Sequence, residues 1–521
     1  MQKKFEEHSD FNLSEINKQV LEEWDKNHAS ERSVSEHEGF PHFTFYEGPP
    51  SANGHPGIHH VLARTIKDTI CRYKTMKGFY VPRKAGWDTH GLPVELGVEK
   101  EMGITKDDIG KTVSIEEYNA HCRSNVMKFT AEWENLSRLM GYWVDMKRPY
   151  ITYENYYIES VWWLLHNLYS QGLIYKGYTI QPYSPAAGTG LSSHELNMPG
   201  CYRDVKDTTV TAMFRMTSPQ GAFKTDWGET YFMAWTTTPW TLPSNTALCV
   251  GPKIDYVLVN TFNPYTAQPI SVVMAEARIA SYFNPAGAEA AMENYEKGGK
   301  ILPYRVVAHF KGTDLEGLKY EQLFAYVNPG EGAFRVILGD YVSTEDGTGI
   351  VHIAPTFGAD DAFVAKKAGV PALQLIDKNG NKRPMVDLKG RFYKLEDLDE
   401  DFKQKHMNVD LYKTYAGRFV KNAYDDKLTD KDETLDISIC MELKASGLAF
   451  RIEKHVHNYP HCWRTDKPIL YYPLDSWFIR STARKERMFE LNKNIKWKPQ
   501  STGTGRFGKW LENLNDWNLS R

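Results

Sequence analysis

Phe43-Thr44-Phe45-Tyr46-Glu47-Gly48-Pro49-Pro50-Ser51-Ala52-Asn53-Gly54-His55-Pro56-Gly57-Ile58-His59-His60 is the stretch on which the fold turns. Its aromatic opening alternates like a buried strand, and the Gly/Pro cluster marks a tight turn. Leu62, Ile66 and Ile70 follow at four-residue spacing, which predicts a helix with one apolar face. Strand, glycine-rich turn and helix together aim free backbone N–H groups and the positive helix end at an anion. His59 and His60 stand at that mouth as two further donors. The spelling is neither that of the dinucleotide fingerprint nor that of the P-loop, so the usual phosphate-binding readings fail.

Three further blocks carry chemistry. In Arg83-Lys84-Ala85-Gly86-Trp87-Asp88-Thr89-His90-Gly91 a carboxylate lies between Trp and His, an expensive choice for a plain core. Trp235-Thr236-Thr237-Thr238-Pro239-Trp240-Thr241-Leu242-Pro243-Ser244-Asn245 is a row of hydroxyls suited to a terminal ribose, a water or a small amino acid. By itself it reads better as a Thr-rich β segment with exposed tryptophan. Its partner is Gly347-Thr348-Gly349-Ile350-Val351-His352-Ile353-Ala354-Pro355-Thr356-Phe357-Gly358-Ala359-Asp360-Asp361.

Together these blocks resemble the class I aminoacyl-tRNA synthetases, and their wording is nearest to the isoleucine members. The resemblance implies an α/β fold: a Rossmann-like catalytic core split by a large β-rich, β-barrel-like editing insertion. It implies ATP-dependent activation of L-isoleucine, transfer to tRNA(Ile) and hydrolytic editing of Val-tRNA(Ile), with Mg2+ carried on the ATP phosphates. The family signature His-x-Gly-His aligns with Gly57-Ile58-His59-His60, its first and third positions exchanged. The resemblance assigns His59 and His60 to the ATP phosphates, Gly57 to the space of the missing imidazole and Asn53 to ordering the turn. The exchange is expected to reshape the pocket and weaken inhibitors that mimic the adenylate, an antibiotic-resistance trait. Asp88 is expected to receive the substrate ammonium in a cavity, with Pro49 and Trp517 as walls of the side-chain pocket. For editing, the resemblance implies Thr236, Thr237, Thr238, Thr241 and Asn245 on one wall. His352 would crowd the side chain and Asp361 would hold the α-ammonium. Trp240 after Thr238-Pro239, where the valine and leucine enzymes usually have Arg-Pro-Glu/Asp, favours isoleucine; the valine enzyme and a non-catalytic tRNA-binding or regulatory fragment are the rivals.

Composition sets the frame. The 521 residues are 41% hydrophobic and 25% charged with net charge −3, which fits a soluble globular enzyme of more than one core rather than a polyanion-gripping protein. With no membrane-length apolar run or signal-like N-terminus, a cytoplasmic monomer is expected. The six cysteines include no Cys-x-x-Cys pair and read as free thiols. No metal site is expected in this chain; zinc would belong to a longer enzyme, because Thr465 stands where many relatives carry a second cysteine three residues after Cys462.

The expected organisation is an N-terminal helical extension (1–42, with a helix over 12–28), the first catalytic half with the start of a stem (43–200), the editing unit (201–395), and the stem with the start of the second catalytic half (396–521). Long helices are expected over 115–139 and 153–174, the latter as core packing, and short strands over 208–216, 230–235 and 256–260. Helices are expected at 273–282 and 288–297. No Lys-Met-Ser-Lys-Ser-like loop occurs, so the chain is expected to cover about the N-terminal half of such an enzyme, to lack full synthetic activity and to retain at most editing.

Overall fold

The computed structural model describes residues 11–429 and 431–520 and divides into two compact units, Met1–Ile174 and Tyr175–Arg521. In the first, helix α1 (Leu13–Lys26) is capped by the Asn12 side chain, which accepts from Glu15 N at 3.2 Å. Trp24 on its half-buried face packs edge-on against Trp143 at 5.0 Å, with the Arg72 guanidinium over both rings.

Helix α2 (Ile58–Met76) begins where the sequence places it, but the strand before it does not form. Residues 43–46 carry only the Phe43 N to Tyr80 O hydrogen bond, and Tyr46 is 87% exposed. A strand needs a neighbour along its length, and the first unit has only one described sheet, a parallel pair of β1 (Lys84–Trp87) and β2 (Asp145–Ile151). Gly86 is required there, because a Cβ would meet the Tyr150 ring within 2.5 Å. The buried face of α2 is also not the expected one. Leu62, Ile66 and Ile70 are exposed, whereas Arg64, Cys71 and Thr75 are buried. Arg64 stacks over Trp133 and Tyr142, so its long apolar stem and delocalised charge fill the position that periodicity gave to leucine.

The 115–139 segment is two helices, α3 (Ile115–Val126) and α4 (Thr130–Leu139). The break falls where Phe129 N donates to Ala52 O at 2.9 Å, tying the helix pair to the Gly/Pro turn. Helix α5 (Asn155–Ser170) buries no residue, and Trp162 and Trp163 are exposed, so the core-packing expectation is corrected. A two-stranded sheet offers too narrow a face to cover an aromatic helix of that length.

The second unit is built on a six-stranded sheet, β8-β6-β7-β4-β3-β11, comprising β3 (Tyr202–Arg215), β4 (Glu229–Thr236), β6 (Asp255–Phe262), β7 (Pro269–Ala275), β8 (Arg305–Lys311) and β11 (Ala449–Pro460). A three-stranded sheet, β9-β5-β10, adds β5 (Ala247–Val250), β9 (Arg335–Leu338) and β10 (Ile350–Ile353). The mixed α/β class with a β-rich region is thus observed. The three strands expected from alternation are present: the second and third are longer at both ends, and the first begins earlier, at Tyr202, and ends at Arg215. The expected helix at 273–282 is instead the end of β7 followed by single turns, because the run Ile270-Ser271-Val272-Val273 is β-branched and buried. Residues 288–297 hold only 3-10 turns. The sheet runs past residue 395: β11 pairs antiparallel with β3 from Ala449 to Pro460, and helix α7 (Leu435–Ala445) packs on both. No described helix is long and apolar enough to cross a membrane.

Candidate functional site

In the first unit the turn between residues 47 and 57 is held from below. Trp133 Nε1 donates to Gly54 O at 2.9 Å, His55 Nδ1 meets Glu132 Oε2 at 2.6 Å, and Asn53, the residue before those anchors, is half-buried. Glu47 is buried and receives Lys67 Nζ and the Tyr142 hydroxyl. The two signature blocks meet where Asp88 N donates to Pro50 O at 3.0 Å, beside half-buried Pro49.

At the mouth of α2, Gly57 N donates to His60 Nδ1 at 2.9 Å, which leaves the His60 proton on Nε2. Burial, followed by His59 and Arg64, holds the His60 imidazole below its ordinary range, so the ring is neutral near pH 7. His59 is exposed and its ring leans on His60 at 43°, with centroids 3.8 Å apart. A Cβ on Gly57 would lie 2.7 Å from His59 Cε1, so the glycine leaves the space that this ring occupies. Neutral Nε2–H groups and free helical N–H groups suit a phosphate.

Asp88 follows β1 and is exposed, its Oδ1 facing His90 N at 3.4 Å. Trp517 belongs to the second unit, exposed in the short strand Trp517–Asn518 that pairs with residues 478–479.

The second unit does assemble a cavity. Its volume is about 360 Å³, and Thr236, Thr237, His352 and Asp361 line it with Trp235 and Tyr341. Thr236 closes β4, and the chain then turns into the 3-10 helix Pro239–Ser244. Thr238 bridges: its Oγ1 is 3.3 Å from Thr236 Oγ1 and 3.4 Å from Thr241 Oγ1. Thr241 donates to Thr238 O at 2.8 Å and lies 3.2 Å from His352 Nε2. Because that hydroxyl's one proton is committed to Thr238 O, His352 Nε2–H is the donor between them. His352 Nδ1 is then a buried acceptor without a partner in the protein. Burial lowers the imidazole to about 4, so it is neutral at pH 7.

Asp361 opens helix α6 (Ala359–Ala368), and its Oδ2 accepts from Ala354 N at 2.9 Å. Burial raises its carboxyl to about 6, so it is mostly ionised at pH 7 and poorly compensated, a fit for an incoming ammonium. Thr238, Thr241 and Asn245, also predicted, are not on the cavity lining, and Asn245 is committed to the framework. Its Nδ2 donates to Ala247 O and Ile353 O and its Oδ1 accepts from Tyr320 at 2.6 Å, so it ties β5 to β10 with no polar atom left for a ligand. Sequence reasoning gave no role to Glu47, Arg64, Trp133 or Tyr142; only the position of Glu47 inside the opening stretch signalled it. Among the described residues no three His, Cys, Asp or Glu side chains converge as metal ligands, and all six cysteines are free.

Residues 19–521 match the family model described as tRNA synthetases class I (I, L, M and V). Similar relatives are isoleucine-tRNA ligases from Bacteroides fragilis (72% identical over 521 residues, all of this chain and 46% of the relative) and Porphyromonas gingivalis (66% over 522 residues, all of this chain and 46% of the relative). A third, from Clostridium tetani, is 41% identical over 508 residues, covering 97% of this chain and 42% of the relative. The chain spans a little under half the length of the curated relatives it matches.

Proposed function

From the premise that the chain belongs to the class I tRNA synthetases of the I, L, M and V group, we propose that it contributes to ATP-dependent ligation of L-isoleucine to tRNA(Ile) without full synthetic activity on its own, and that it hydrolyses Val-tRNA(Ile) in the cavity of its second unit. The carrying observation is that Thr236, Thr237, His352 and Asp361, remote in sequence, line one cavity. The need for a second site follows from size. For isoleucine against valine, the reference case for this kind of discrimination, one methylene yields about 150-fold, too little for protein synthesis. A hydrolytic cavity that admits valine and excludes isoleucine supplies the rest.

In that cavity Asp361 pairs with the α-ammonium and neutral His352 presents its unpartnered Nδ1 as an acceptor. The threonine hydroxyls orient the terminal ribose and the water that attacks the ester carbonyl. The acyl–oxygen bond breaks, and valine and free tRNA leave. In the first unit, His60 Nε2–H, His59 and the N–H groups opening α2 would bind ATP phosphates, and Asn53 orders the turn. Mg2+ would arrive on those phosphates and supply charge neutralisation there; Pro49 and Asp88 are the proposed isoleucine contacts.

The test is deacylation of Val-tRNA(Ile) and Ile-tRNA(Ile) by this chain. Val-tRNA(Ile) should be cleared and Ile-tRNA(Ile) spared, and Asp361→Ala should lose about 10- to 100-fold through the lost charged hydrogen bond. Equal clearance of both, or an unaffected Asp361→Ala, overturns the reading. A non-catalytic tRNA-binding chain would bind and clear neither.

A further inference from the structure

Behind the threonine loop, outside the cavity, lies a buried set of charges. The backbone N–H of Trp240, in the first turn of the 3-10 helix Pro239–Ser244, donates to Asp436 Oδ1 at 2.9 Å. Asp436 is almost fully buried in the first turn of α7. Its other oxygen is 3.7 Å from Lys421 Nζ, which donates to Asp207 Oδ2 at 2.6 Å. Asp207 in turn meets His457 Nε2 at 3.2 Å, and the Lys421 ammonium stands 4.9 Å from the centroid of the Tyr459 ring. Asp436 faces the cavity through no atom of its own; His352 is reached only through Trp240 and then Thr241.

Burying such a set is a poor route to stability, since well-packed apolar residues of similar volume do as well or better. What a carboxylate adds here is an acceptor of fixed direction. One oxygen takes the Trp240 N–H, and the opposite charge of Lys421, itself anchored by Asp207, keeps the carboxylate from turning away. The next residue along, Thr241, is the one that receives His352 Nε2–H.

We infer that Asp436 is a positioning residue for the hydrolytic site: through the Trp240 N–H it sets the turn that places Thr241 against His352, with Lys421 and Asp207 holding it in register. The inference rests on the reading of the cavity as the Val-tRNA(Ile) hydrolase.

The test compares the whole chain with Asp436→Asn, which keeps the Oδ1 acceptor, and Asp436→Leu, which removes it. With Val-tRNA(Ile), Asp436→Leu should lower kcat about 10-fold or more at a KM changed less than about 2-fold, as expected for misplacement of groups acting at the reacting centre. Asp436→Asn should stay within about 3-fold of wild type. A purely structural residue gives a different pattern: both variants lose the ion pair and melt earlier, while kcat per folded molecule stays unchanged, and that result overturns the inference. Should Asp436→Leu not fold, Asp436→Ala removes the same acceptor, with a fall in kcat expected and an unchanged kcat overturning. A wild-type chain that clears no Val-tRNA(Ile) defeats the reading of the cavity instead. The positioning link is then read from the imidazole 15N resonances of His352, which should shift in Asp436→Leu and not in Asp436→Asn; identical spectra overturn it.

Discussion

Gly57 and His59 occupy each other's space. A Cβ at position 57 would lie 2.7 Å from the far end of the exposed His59 ring, so Gly57→His alone should turn that ring aside and move stability by no more than about 0.5 kcal/mol, read as a nearly unchanged Tm. The double exchange Gly57→His/His59→Gly should likewise leave Tm nearly unchanged. It should also tighten an adenylate-mimicking inhibitor; unchanged affinity would remove the proposed link between the exchange and resistance. Asp361 and His352 make a second argument at this scale. Burial lifts the Asp361 carboxyl from 3.8 to about 6, so between those values the native state binds more protons than the unfolded one. Its stabilising share is full below about pH 4 and is lost as the pH rises through about 6. His352, lowered from 6.5 to about 4, behaves oppositely: its share is present above 6.5 and is lost as the pH falls through about 4. Between about pH 4 and 6 the two offset each other. Asp361→Asn removes one of them, so its Tm should climb more steeply with pH across that window, and at pH 7 it should be about 1–3 kcal/mol more stable while deacylating poorly. A thermal melt series against pH checks the first point, and the deacylation assay the second.

At the scale of elements, α2 carries its apolar stripe outward and an arginine inward. Leu62→Gln and Ile66→Gln should therefore move the stability of this chain by no more than about 0.5 kcal/mol, because both side chains already meet solvent. Trp133→Ala should cost about 3–5 kcal/mol, since that ring is buried, supports Arg64 and His60, and donates to Gly54. Denaturant titration of the three variants decides between this packing and the one that periodicity implies. In the second unit the loop from β4 into the 3-10 helix owes its course to partners on other elements: His352 on β10, and Asp436 on α7.

At the scale of the molecule, the second unit gathers charged and hydroxyl groups at one cavity. No Lys-Met-Ser-Lys-Ser-like loop occurs in the sequence to clamp the ATP phosphates, so this chain should show no appreciable isoleucine-dependent exchange between pyrophosphate and ATP while retaining hydrolysis of Val-tRNA(Ile). Exchange at the level of a full-length isoleucine-tRNA ligase would refute the first half of that expectation.

The local chemistry was legible in the chain itself: the capped opening helix, the glycine turn before α2, the alternating strands of the β-rich region, and the four hydroxyl- and charge-bearing blocks. Such features depend on neighbours within a few residues, so periodicity and turn chemistry report them. The remainder required contacts between distant segments. Residues 43–46 read as a buried strand, yet strand formation depends on a partner that local sequence cannot supply. The stripe Leu62-Ile66-Ile70 marks an apolar face without saying whether anything covers it, and Arg64 lies inside only because Trp133 and Tyr142 come to meet it. Asn245 looks like one more polar ligand until Tyr320 and the carbonyls of Ala247 and Ile353 are seen to use every polar atom it has. Asp436 and Lys421 carry no local signal, because the meaning of a buried charge lies in what it faces across the fold.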